Sequence, residues 1–145
     1  MKISEMLQDD IGLVLPFYIE QYNEYEGNCW TEKTAGKRIR QLFSINDNYA
    51  LIMKDCNNKA IGFVIGYFKQ YGDLFAYTLE EIVISHNEQN KGYGSMLLVE
   101  LEKRVKEKGG AGIELQAVKD QMHEKYYGKA GYRDANNFTI KCKWF

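Results

Sequence analysis

The chain has 145 residues, enough for one domain that buries a core without metal or disulfide support. Apolar residues make up 45% and charged residues 27%, and the formal charge of −1 leaves no basic surface for nucleic acid. The opening MKISEMLQDDIGLVL is too acidic for a secretory signal and no stretch reaches the ~20 apolar residues of a membrane span, so a cytoplasmic protein without nucleic-acid or membrane partners is expected.

Residues 10–22 (DIGLVLPFYIEQY) recur as a helix, and residues 32–44 (EKTAGKRIRQLFS) as a second one with Thr31 as its N-cap. YALIMK (49–54), a turn at DCNNK holding Asn57 and Asn58, and AIGFVIGYFKQ (60–70) read as a β-hairpin; LFAYTLEEIVIS (74–85) is a third strand. The helix at 93–108 has Leu97, Leu101 and Val105 on one face, and Gly109 and Gly110 stop it. GIELQAV (112–118) is a short apolar strand, Asp120 caps a helix through Lys129, and Gly131 ends that helix. FTIKCKWF (138–145) alternates Phe138, Ile140, Cys142 and Trp144 with Thr139, Lys141 and Lys143, the period of a strand. This order gives one mixed sheet with helices on its faces, an α/β (α+β) single domain over residues 1–145. Cys29, Cys56 and Cys142 are scattered and odd in number, so free thiols and no metal site are expected.

Between the third strand and the long helix lies EQNKGYGSM (88–96). Glycine costs roughly 1 kcal/mol against alanine in a helix, so Gly92 and Gly94 at a helix start mean either a tight turn or a backbone that must approach an anion. A Walker A loop needs GxxxxGK[ST], which is missing, and a GxGxxG fingerprint fails because Leu97 holds the third glycine position. The pattern [Q/R]xxGx[G/A] is complete in Gln89-Asn90-Lys91-Gly92-Tyr93-Gly94.

On this motif, and on its place after LEEIVI and before an amphipathic helix, the sequence resembles the GNAT superfamily of acyl-coenzyme A dependent N-acetyltransferases from about Ala60 to Tyr132. DQMHEKYYGKAGY resembles the family's Asn-x-x-Ala-x-x-x-Tyr-x-x-x-Gly-Phe stretch, with Tyr127, Gly131 and Tyr132 in the matching places, but Asp120 stands for Asn and His123 for a small residue. The resemblance implies a GNAT-like fold with a mostly antiparallel sheet of about six or seven strands. It also implies acetyl-coenzyme A as co-substrate, its pyrophosphate held by Gln89, Asn90, Lys91, Gly92, Tyr93, Gly94 and Ser95. Its pantetheine arm would pair with the backbone at Ile82, Val83 and Ile84, with Asp120 nearby. Tyr127 is implied as the donor to the departing thiolate.

A primary amine must lose a proton before it attacks, and acids in mid-strand are poor strand formers. Glu80 is the first candidate for the base and Glu81 the second, since alternation sends only one of them into a cleft unless a bulge intervenes. His123, one turn before Tyr127, is a further candidate, with a plain surface histidine as the alternative. Up to Trp30, acids interleaved with Tyr22 and other aromatics face only Lys2, and Tyr22, Glu26 and Trp30 are expected to line a site for a cationic small-molecule amine. An ordinary wet amphipathic helix is the competing reading. A non-catalytic acyl-coenzyme A sensing module, an O-acetyltransferase and a homodimer all stay open.

Overall fold

The computed structural model describes residues 1–145. Helix α1 (Ile11–Glu26) buries Ile11, Val14, Phe17 and Tyr18 at helical spacing and runs past the expected end at Tyr22 to a left-handed Gly27. Helix α2 (Glu32–Phe43) begins at Thr31 as expected. The Thr34 N–H donates to Thr31 Oγ1 at 3.2 Å, and the Thr31 N–H donates back to Thr34 Oγ1 at 2.9 Å, so each residue satisfies an orphan donor of the other.

The sheet has five strands in the order β1 (Lys2–Glu5), β2 (Asn48–Lys54), β3 (Ala60–Tyr71), β4 (Leu74–Ile84) and β5 (Ile113–Leu115). The first four are antiparallel neighbours, and β5 runs parallel to β4. The β2–β3 turn is shaped by Asp55, whose carboxylate accepts from the N–H groups of Asn57 and Lys59, and by Asn58 at φ 62°. Both faces of the sheet are covered, so strands such as β2 are apolar throughout and feed two cores alternately. Ala50 and Ile52 join α1 and α2 in one core; Leu51 and Met53 join Leu97, Leu98, Leu101 and Val105 of α3 (Tyr93–Glu107) in the other. Each fully buried aliphatic side chain of this kind contributes about 1.5–3 kcal/mol. The last helix, α4 (Gln121–Lys129), is capped by Asp120. No helix is long and apolar enough to cross a membrane.

Three expectations change. The sheet is smaller than six or seven strands because residues 138–145 pair with nothing, leaving Phe138 78% and Trp144 91% exposed. Alternation equips a segment for a strand, but only a neighbouring edge supplies the hydrogen bonds. The strand expected over 112–118 is reduced to Ile113–Leu115, since pairing with β4 stops at Leu79 opposite Leu115. The missed strand β1 is a four-residue edge reading KISE, too short and polar to show a pattern.

The irregularity that matters for function lies between β3 and β4. Ile65 faces Glu81 and Gly66 faces Leu79, so Glu80 has no partner and forms a bulge. Gly66 is required there, because a Cβ on it would lie 2.0 Å from the Thr78 carbonyl oxygen. Before the bulge Tyr77 and Leu79 point into the α3 core, whereas after it Glu81 and Val83 point to the α1/α2 side and Ile82 and Ile84 to the α3 side.

Candidate active site

The bulge turns both acids of the Glu80-Glu81 pair toward α2, where one guanidinium meets them. Arg38 donates from Nη2 to Glu80 Oε2 at 2.9 Å and from Nε to Glu81 Oε1 at 3.1 Å. Two phenols of α1 complete the cage: Tyr18 donates to Glu81 Oε1 at 3.3 Å and Tyr22 to Glu81 Oε2. Glu81 is 7% exposed and is the one buried charged residue. Burial raises its carboxyl above the ordinary glutamate range, although Tyr22, Arg38 and Tyr18 each pull it back. Burial also raises both phenols, with the Glu81 charge second, so they stay protonated donors. Arg38 and Tyr18 were not singled out from sequence. Arg38 lies on a helix 42 residues before Glu80, and only the charge balance of a buried acid pair hints that a cation must exist.

Tyr22 and Trp30, two expected acceptor-site residues, do come together: their rings are 5.8 Å apart, and Tyr18 lies 4.6 Å from Tyr22 and 5.4 Å from Trp30. Glu26 is tied to this wall by accepting from Trp30 Nε1 at 2.8 Å. The wall adjoins the Glu81 cage through Tyr18 and Tyr22.

Past Leu79 and Leu115 the parallel strands no longer pair, so the edge of β4 at Ile82, Val83 and Ile84 is left open on the β5 side. Their side chains are used in packing, Val83 in one core and Ile82 and Ile84 against the other. At the end of this open edge stands the glycine-bearing loop. Gly92 has φ 84° and caps α3 without any side-chain bond, a conformation that costs other residues about 1–2 kcal/mol. No backbone N–H from Asn90 to Ser95 donates to a protein acceptor, and the Met96 N–H, bonded to Gly92 O at 3.0 Å, is the first that does. Consecutive free amides at a helix N-terminus form an anion cradle. Gly94 answers a second need, because a Cβ there would sit 3.2 Å from Tyr126 Oη. The side chains of this loop are turned to bracing. Gln89 Nε2 donates to Gln21 Oε1 at 2.6 Å and to Ile84 O at 3.0 Å, and Lys91 pairs with Glu88 at 3.1 Å.

On α4, Tyr127 is half-buried against the rings of Tyr126 and Tyr132, at 4.8 and 5.7 Å. Burial raises its phenol, and the Glu81 charge raises it further. His123 stacks on Tyr127 at 6.5 Å and holds the Asp120 carboxylate with Nδ1 at 2.8 Å. The His123 backbone N–H, foremost, and its ring keep Asp120 below the usual range. Asp120 is thus the helix cap and the partner of His123 rather than a free group.

The acetyltransferase (GNAT) family model matches residues 15–132. Among solved structures, a ribosomal-protein-alanine N-acetyltransferase from Brucella melitensis biovar Abortus 2308 is similar with a TM-score of 0.77 at 17% identity, covering 99% of this chain and 100% of that one. An aminoglycoside antibiotic 6'-N-acetyltransferase from Acinetobacter baumannii is similar with a TM-score of 0.72 at 15% identity, covering 99% and 98%. A transcriptional regulator from Bacillus halodurans C-125 is similar with a TM-score of 0.79 at 16% identity, covering 99% and 99%. At these identities the likeness is one of fold. No curated protein sequence matches.

Proposed function

The chain belongs to the acetyltransferase (GNAT) family, and from that premise we propose that it is an N-acetyltransferase moving an acetyl group from acetyl-coenzyme A to the primary amine of a cationic small molecule. The observation that carries this reading is the run of unbonded N–H groups from Asn90 to Ser95, which fits a diphosphate, continuous with the open β4 edge that leads to Glu81. Acetyl-coenzyme A supplies the acetyl group as an activated thioester.

The residues of this chain then have separate tasks. The amides of Asn90 to Ser95 hold the diphosphate, with Gly92 left-handed so that the cradle stays open. Backbone groups of Ile82, Val83 and Ile84 align the arm that ends in the thioester. Glu81, buried and raised in pKa, takes the ammonium proton of the acceptor, directly or through a water; Glu80 anchors Arg38 instead. The amine nitrogen forms the C–N bond while the C–S bond breaks, and the protonated Tyr127 phenol gives its proton to the leaving sulfur. The free Nε2 side of His123 lies next to this proton path, and Asp120 fixes its Nδ1 side. Tyr22, Trp30 and Glu26 favour a cation through π-faces and charge.

The test is thiol release from acetyl-coenzyme A across polyamines, aminoglycosides, amino acids and lysine peptides. Release with at least one amine class is expected. Coenzyme A binding with release at background throughout would make the chain an acyl-coenzyme A sensor and overturn the catalytic reading.

A further inference from the structure

Two phenols stand side by side on α4, and only Tyr127 has a task so far. Consecutive residues of a helix point about 100° apart, so Tyr126 faces a different neighbour. That neighbour is the start of α3. Tyr126 Oη is the atom nearest to where a Gly94 Cβ would lie, at 3.2 Å, with Cε2 and Cζ of the same ring at 3.5 and 3.6 Å. An alanine at 94 would therefore press on the oxygen first, and the missing side chain makes room for a hydroxyl as well as for a ring. The charges around the two phenols differ in the same sense: Glu81 acts on Tyr127, and Glu102 of α3 acts on Tyr126.

The surroundings of this hydroxyl are one-sided. Tyr126 Oη makes no hydrogen bond within the chain, and unlike Tyr132 Oη, which is buried without a partner, it is open to solvent. Burial of the ring, followed by Tyr127 and Glu102, raises the phenol, so it keeps its proton and stays a donor. Beside it, the N–H groups from Asn90 to Ser95 are donors that no protein acceptor uses, and Gly94 carries one of them. Two helices thus bring unspent donors to one place. Such a set suits an acceptor-rich anion, and hydrogen bonds to a charged oxygen are the strong ones.

We propose that Tyr126 is a further coenzyme A-binding residue, its hydroxyl donating to a diphosphate oxygen from the α4 side while the loop amides donate from the α3 side. This rests on the acetyl-coenzyme A reading and adds to it a side-chain contact that the glycine motif does not contain. The adjacent tyrosines then divide the cofactor, Tyr127 serving its sulfur and Tyr126 its diphosphate.

Tyr126→Phe deletes the oxygen and keeps the ring that packs on Gly94. Calorimetry should show coenzyme A binding about tenfold weaker in the variant. Acetylpantetheine, which lacks the diphosphate, should be used as acetyl donor with unchanged kcat/KM, and kcat at saturating acetyl-coenzyme A should also hold. Equal coenzyme A affinity in the two proteins overturns the proposal. A parallel loss with both donors also overturns it, because it would make Tyr126 a packing residue. Failure of the wild-type chain to bind coenzyme A at all is a different result: it sinks the acetyltransferase reading itself, and this contact with it.

Discussion

Around Glu81, side chains from α1 and α2 converge on two carboxylates, whereas from Asn90 to Ser95 the chain presents bare main-chain N–H groups and turns its side chains to bracing. The first end gets its character from burial, which raises one carboxyl, and from charge pairing, which pulls it back and holds it in place. The second gets its chemistry from backbone conformation, with left-handed Gly92 opening the helix start. A site built from side chains is sensitive to the loss of one functional atom and tolerant of small backbone change. A site built from backbone is the reverse.

Substitutions can break this contrast. The largest effect is expected for Glu81→Gln, which removes the carboxylate proposed above as the base; turnover should fall about a thousandfold while coenzyme A affinity is kept. Calorimetry with steady-state rates checks the split, and an equal loss in both would assign Glu81 to structure alone. Tyr127→Phe should lower kcat about a hundredfold, again with affinity unchanged, because only the O–H is deleted. An unaltered rate removes its acid role.

At the other end, Gly92→Asp places a carboxylate, in a left-handed position, in the loop proposed above to hold the diphosphate. A penalty of about 2 kcal/mol corresponds to about thirtyfold weaker coenzyme A binding, with kcat at saturation little changed. Undiminished affinity would remove the loop assignment. The smallest effect sharpens the comparison rather than breaking it. Arg38 lowers the Glu81 carboxyl, so Arg38→Met lets that carboxyl rise further. The base form is then lost at higher pH, and the acid limb of kcat/KM should move to higher pH. Retained coenzyme A affinity shows that the variant is folded, and a limb that stays put would show that Glu81 is not the titrating base.

The same contrast explains what could be read from sequence. The loop and the start of α3 were legible because glycine spacing and an apolar stripe are local signals, and Thr31 and Asp120 were legible as caps for the same reason. The bulge at Glu80 leaves no local mark, since it is a register shift against Ile65 and Gly66 on another strand. Without it the alternation rule turns one acid away, and the role of Arg38 stays hidden on a distant helix. Residues 138–145 show the opposite error: their alternation is clear, but a strand is a relation between two segments, and periodicity describes only one of them.

One consequence of the bulge concerns chain length rather than side-chain identity. Since Glu80 is the supernumerary position, excising it outright would leave Leu79 facing α3 and Glu81 facing α1, a regular ladder that keeps the buried carboxylate aimed as before. The strand is therefore one amino acid longer than its pairing requires, and that surplus is what lets two adjacent acids grip one cation.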